Sequence, residues 1–92
     1  MFYTYIIFSD SIGKYYSGHT DTLSKRIRDH NSKKGHFTSK GAPWSLIQYF
    51  TFSTRREAIN LERIIKKRGA ERFLDDLKMG KYRHLFPPKS SG

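Results

Sequence analysis

The sequence predicts a small α+β domain, a three-stranded antiparallel sheet flanked by helices in the order β-β-α-β-α-α. Three observations point there. Two runs rich in β-branched and aromatic residues flank a short polar turn near the start of the chain, and a third such run, WSLIQYFTF, occupies residues 44–52. Two later segments carry apolar residues at helical spacing.

Residues 2–8 and 14–20 read as a β-hairpin closed by Ser9, Asp10, Ser11, Ile12 and Gly13. Alternation puts Tyr3, Tyr5 and Ile7 on one face and Phe2, Thr4, Ile6 and Phe8 on the other. Asp21 or Thr22 then caps a helix running to about Asn31, with Leu23 and Ile27 as its apolar stripe and Arg26 and His30 beside it. Residues 33–43 hold two Gly, one Pro and three Lys and read as a basic loop.

Trp44 to Phe52 is the third strand, with Leu46 and Ile47 on opposite faces. Thr54 and Glu57 form a capping box, so a helix starts there with Ala58, Leu61 and Ile65 buried, and Gly69 stops it. A last helix from Ala70 to about Met79 carries Phe73, Leu74 and Leu77, and Gly80 ends it. The expectation is one domain over residues 1–80 and a basic, disordered tail over 81–92 containing Pro87 and Pro88.

Composition narrows the partners. The 92 residues hold 18 Lys and Arg against 8 Asp and Glu, a net charge of +10 that attracts polyanions at long range. Nucleic acid is the first candidate and an anionic membrane surface the second. No apolar run approaches a membrane span, and no signal-peptide pattern opens the chain. The absence of cysteine excludes disulfides and thiolate metal sites. A cytoplasmic location is expected.

Four tyrosines crowd the hairpin, where packed aromatics with wet hydroxyls are the plain reading. Their company suggests chemistry. Phosphodiester hydrolysis needs a proton acceptor, cations for the phosphoryl oxygens and, usually, a carboxylate-held divalent metal. Arg26, His30 and Glu62 are candidates for those parts. A tyrosine with a pKa near ~10 is a poor base unless a cation or an imidazole helps to remove its proton. His30 titrates in the right range to do so.

Tyr3-Thr4-Tyr5, then Tyr16-Ser17-Gly18 eleven residues beyond Tyr5, then Arg26, His30 and Glu62, resembles the GIY-YIG nuclease domain, especially its small single-domain bacterial members. The resemblance runs from about Phe2 to Leu77. It implies a GIY-YIG-like fold and metal-dependent endonuclease cleavage of a nucleic-acid phosphodiester, DNA first, by an activated water. By the same resemblance, Tyr5 would orient or deprotonate the water, and Tyr16 would position water or phosphate. Arg26 would hold the scissile phosphate, a fork geometry that lysine does not copy. His30 would relay a proton from Tyr5, Gly18 would permit close backbone approach, and Glu62 would bind one Mg²⁺ or Mn²⁺.

Departures from the family pattern define the alternatives. The first triplet is Tyr-Thr-Tyr, Ser17 replaces an isoleucine, and His19 stands where many members carry lysine. His19 is therefore a further candidate. No asparagine follows Glu62, since Asn31 and Asn60 both precede it. The alternative reading is a catalytically weak or inactive basic nucleic-acid-binding module, and a basic RNA- or ribosome-associated protein is the third. Lys33, Lys34, Lys40, Arg63, Lys66 and Lys67 are candidate phosphate contacts, which position nucleic acid without reading its sequence. Nothing resembles a major-groove recognition module, so little sequence specificity is expected, with branched, nicked or damaged structures as targets. A partner protein would then supply targeting.

Overall fold

The computed structural model describes residues 1–32 and 39–85. Candidates Lys33 and Lys34 and the end of the tail, residues 86–92, lie outside the described residues. The elements are β1 (Phe2–Ser9), β2 (Lys14–Thr20), α1 (Leu23–Asn31), a 3₁₀ turn (Ser39–Gly41), β3 (Trp44–Phe52), α2 (Arg55–Arg68), α3 (Ala70–Lys78) and a second 3₁₀ turn (Arg83–Leu85). They form a three-stranded antiparallel sheet with three α-helices, the α+β architecture that the sequence predicts.

Strand order is β2-β1-β3, so the first strand is central. The hairpin turn closes through Gly13 N–H donating to the Ser9 carbonyl at 2.8 Å, with Gly13 at φ +64°, a conformation open to glycine and strained for most residues. Register pairs Tyr5 with Gly18 on one side and with Tyr49 on the other.

A central strand is covered on both faces, which explains its continuous burial from Thr4 to Ile7. Ile6 packs with Phe50, Leu61, Ile65 and Phe73 on the face covered by α2 and α3. Tyr5 and Ile7 pack with Trp44, Tyr16, Leu23 and Ile27 on the face covered by α1. Burying each such side chain contributes about 1.5–3 kcal/mol relative to exposure, so few positions carry the core. Thr4, fully buried, stays satisfied because its hydroxyl donates to the Ala58 carbonyl at 2.7 Å, which also pins α2 to the sheet.

The helix boundaries follow local chemistry. At the start of α2 the capping box is formed: the Glu57 amide donates to Thr54 Oγ1, and the Thr54 amide donates to Glu57 Oε1. The α1 start differs from expectation. Thr22 is the N-cap residue but makes no side-chain cap, because its hydroxyl donates instead to Asp21 Oδ1 at 3.0 Å. Between α2 and α3, Arg68 donates through Nε and Nη2 to the two Asp76 carboxylate oxygens at 2.9 and 3.1 Å.

Two details depart from simple alternation. The β1–β3 register jumps between Ile6, paired with Gln48, and Ile7, paired with Leu46, leaving Ile47 as a bulge residue. Leu46 and Ile47 are both exposed as a result of lying on this edge strand. Residues 81–85, read from sequence as the start of the tail, turn back onto the core, with the Tyr82 ring 4.9 Å from that of Phe73 and Leu85 against the same cluster.

Candidate active site

The face of the sheet under α1 gathers most of the candidate residues. Tyr5 is 1 % exposed, and its hydroxyl lies 2.8 Å from His30 Nε2. Arg26 sits one helical turn before His30 on α1, close enough for its charge to act on the Tyr5 hydroxyl. The Tyr5 hydroxyl has one proton to give, and a neutral His30 imidazole is a group that can take it.

The titration behaviour agrees with that polarity. Burial pushes the Tyr5 phenol up, and the Arg26 hydrogen bond and charge offset this only in part. Burial, and then the Arg26 charge, push His30 down, so the imidazole is neutral at pH 7. In the tautomer that carries its proton on Nδ1, the neutral imidazole accepts the Tyr5 O–H at Nε2.

Gly18 makes room for this pair. It lies opposite Tyr5 in the ladder, and a Cβ at residue 18 would stand 2.7 Å from the Tyr5 hydroxyl oxygen and 3.0 Å from Cζ. Only glycine lets the ring cross the strand here. Two residues earlier, Tyr16 points to the same face and meets His30 edge-on, with centroids 5.1 Å apart, and Trp44 at 6.3 Å.

Glu62 belongs to the other face. His19 pairs with Thr4, whose hydroxyl reaches α2, so β2 directs His19 toward that helix. There Glu62 Oε1 accepts from His19 Nδ1 at 2.5 Å, and Glu62 Oε2 accepts from Lys66 Nζ at 2.5 Å. Burial raises the Glu62 pKa, the largest single effect, but the Lys66 and His19 hydrogen bonds together outweigh it and hold the carboxyl below its usual range. The Lys66 ammonium also stands 5.9 Å from the centre of the Tyr16 ring, which joins the two groups across the β2 edge.

Arg63 and Lys67 are exposed on α2, and Lys40 is exposed in the first 3₁₀ turn. Two contributors are not apparent from sequence spacing. Trp44 packs behind Tyr16 and Tyr5. Asn31 holds it there: Asn31 Nδ2 donates to the Trp44 carbonyl at 3.2 Å, and the Trp44 amide donates to Asn31 Oδ1. Lys66, a candidate phosphate contact from the sequence, lies with its ammonium on the Glu62 carboxylate.

Among the described residues no group of three or more His, Asp or Glu side chains converges as a metal cage. The donor set at Glu62 is a single ionised carboxylate. That suits a hard cation which keeps most of its water and takes substrate oxygens, and it does not suit zinc or calcium coordination.

Comparison with known proteins decides the family. Residues 1–73 match the GIY-YIG catalytic domain. The chain belongs to the GIY-YIG family. Relatives include a UPF0213 protein of Bacillus licheniformis, 35% identical over 70% of this chain and 70% of that one. The UPF0213 protein YazA of Bacillus subtilis is 43% identical over 58% of this chain and 54% of its own. The solution NMR structure of a UPF0213 protein from Bacillus halodurans matches with a TM-score of 0.51 at 32% identity, covering 89% of this chain and 90% of that one. Membership of the GIY-YIG family implies nuclease activity and a nucleic-acid substrate in general terms. Among the described residues no helix is long and apolar enough to cross a membrane.

Proposed function

We propose that this GIY-YIG chain is a metal-dependent endonuclease that hydrolyses DNA phosphodiester bonds with little base specificity. The observation that carries the reading is the buried Tyr5–His30 hydrogen bond, flanked by Arg26 and made possible by Gly18. A hydroxyl buried merely for packing gives no reason for a neutral imidazole bonded to its oxygen and a guanidinium charge nearby.

Because burial keeps Tyr5 a phenol at rest, a standing phenolate base is disfavoured. A relay fits better. Tyr5 takes the proton of the attacking water as it passes its own to His30 Nε2. The water oxygen bonds to phosphorus, and the bond to the leaving oxygen breaks with protonation from solvent. Arg26 pairs with the phosphoryl oxygens where charge develops, and Tyr16 orients the phosphate from the neighbouring strand. Glu62 would hold the divalent cation, Mg²⁺ or Mn²⁺, which supplies neutralisation of phosphoryl charge when bound. The exposed cations Lys40, Arg63 and Lys67 would contact flanking phosphates, and a partner protein would choose the target.

Supercoiled plasmid incubated with the protein tests this reading, with Mg²⁺, with Mn²⁺ and with EDTA, beside Glu62→Ala. Metal-dependent nicking that disappears in the variant while binding persists is the expected result. Binding with no nicking under any condition would leave the non-catalytic binding module as the account.

A further inference from the structure

Each oxygen of the Glu62 carboxylate has a partner, Oε1 in His19 Nδ1 and Oε2 in Lys66 Nζ, each at 2.5 Å. A divalent cation arriving at this carboxylate meets the Lys66 ammonium on Oε2 and the His19 imidazole on Oε1, and competes with them for its charge. The partners are not equally able to leave. The His19 side chain is 28% exposed and is carried by a paired residue of the hairpin, whereas the Lys66 side chain is 55% exposed on a flexible stem. The carboxylate itself is only 15% exposed and stays put. The Lys66 ammonium already lies beside the Tyr16 ring, on the path from Glu62 toward the Tyr5 cluster.

We propose that Lys66 couples nucleic-acid binding to metal binding. Without substrate its ammonium competes with the divalent cation for Glu62 Oε2. A substrate phosphate beside Tyr16 and Arg26 offers the ammonium a new partner, draws it off and frees the oxygen. Metal then binds tightly only with nucleic acid in place, which restrains the site from binding a cation, and from acting, when empty. By linkage the two ligands strengthen each other equally. The inference rests on the reading of Glu62 as the metal holder. It assigns Lys66 a positioning role distinct from that of a general phosphate contact.

The test is Mn²⁺ binding, followed by the electron paramagnetic resonance of free Mn²⁺, for the wild type, Lys66→Met, Lys66→Arg and Glu62→Gln. Each is measured alone and with an uncleavable phosphorothioate oligonucleotide, and Glu62→Gln subtracts the metal held by the oligonucleotide itself. Removing one half-exposed ion pair and its charge predicts that Lys66→Met alone binds Mn²⁺ about three- to tenfold more tightly than the wild type alone. The oligonucleotide should tighten binding by the wild type and Lys66→Arg and do so less for Lys66→Met. If Lys66→Met and the wild type bind equally without oligonucleotide while both exceed Glu62→Gln, the coupling is wrong and the Glu62 metal reading stands. If none differs from Glu62→Gln, both are wrong.

Discussion

The Tyr5 hydroxyl and His30 Nε2 stand 2.8 Å apart although 25 residues separate them, one on the central strand and one at the end of α1. Both side chains are held in the packed interior, with Tyr5 1% and His30 5% exposed. In this setting the donor and acceptor are fixed before any substrate arrives, which is the condition for proton transfer without reorganisation.

Gly18→Ala should disable the site with a smaller effect on the fold. The added methyl would lie 2.7 Å from the Tyr5 hydroxyl oxygen, so the ring must move away from His30. A displacement near 1 Å at the reacting groups costs on the order of 100-fold in rate, while overpacking costs about 1–3 kcal/mol of stability. Cleavage rates and melting temperatures of the variant and wild type compare the two effects.

The pH dependence has a definite sign. Burial, and then Arg26, lower the folded-state pKa of His30, whereas the unfolded chain titrates near ~6.5. Below that value the unfolded state binds a proton that the folded state refuses. The His30 contribution to stability is therefore complete above the unfolded value and is lost as pH falls toward the folded one. Activity that needs neutral His30 should show its acid limb below pH ~6.5. His30→Gln should abolish most activity and flatten the His30 part of the stability profile, measured by thermal melts across pH.

Asn31→Ala should loosen the junction between α1 and β3. Its side chain bonds both the amide and the carbonyl of Trp44, and the substitution removes both bonds. Losing two such hydrogen bonds costs about 1–3 kcal/mol, read as a lower melting temperature. Because Trp44 packs behind Tyr16, weaker cleavage should accompany it.

Most of the fold was legible because its signals are local. Runs of β-branched and aromatic residues mark β1 and β3, the turn residues mark the hairpin, and the Thr54–Glu57 box marks the start of α2. The Ile47 bulge escaped because a skipped pairing is set by the neighbouring strand and not by the strand's own pattern. Similarly, residues 81–85 read as tail because one aromatic, Tyr82, is a weak sequence signal for packing on Phe73. Of the candidate site, spacing and family resemblance gathered Tyr5, Tyr16, Arg26, His30 and Glu62. Spacing did not reveal that Glu62 is engaged on both oxygens, because the His19 contact spans 43 residues and depends on which face of β2 meets α2.

Tyr5→Phe tests the central claim most directly, since it removes one oxygen and keeps the ring that fills the core. Single-turnover cleavage of a labelled branched DNA with Mg²⁺ should be measured beside the affinity for the same DNA with EDTA. A loss of cleavage on the order of 100-fold or more at unchanged affinity is predicted, as expected for a proton-transfer group. Cleavage by Tyr5→Phe at the wild-type rate would contradict the account.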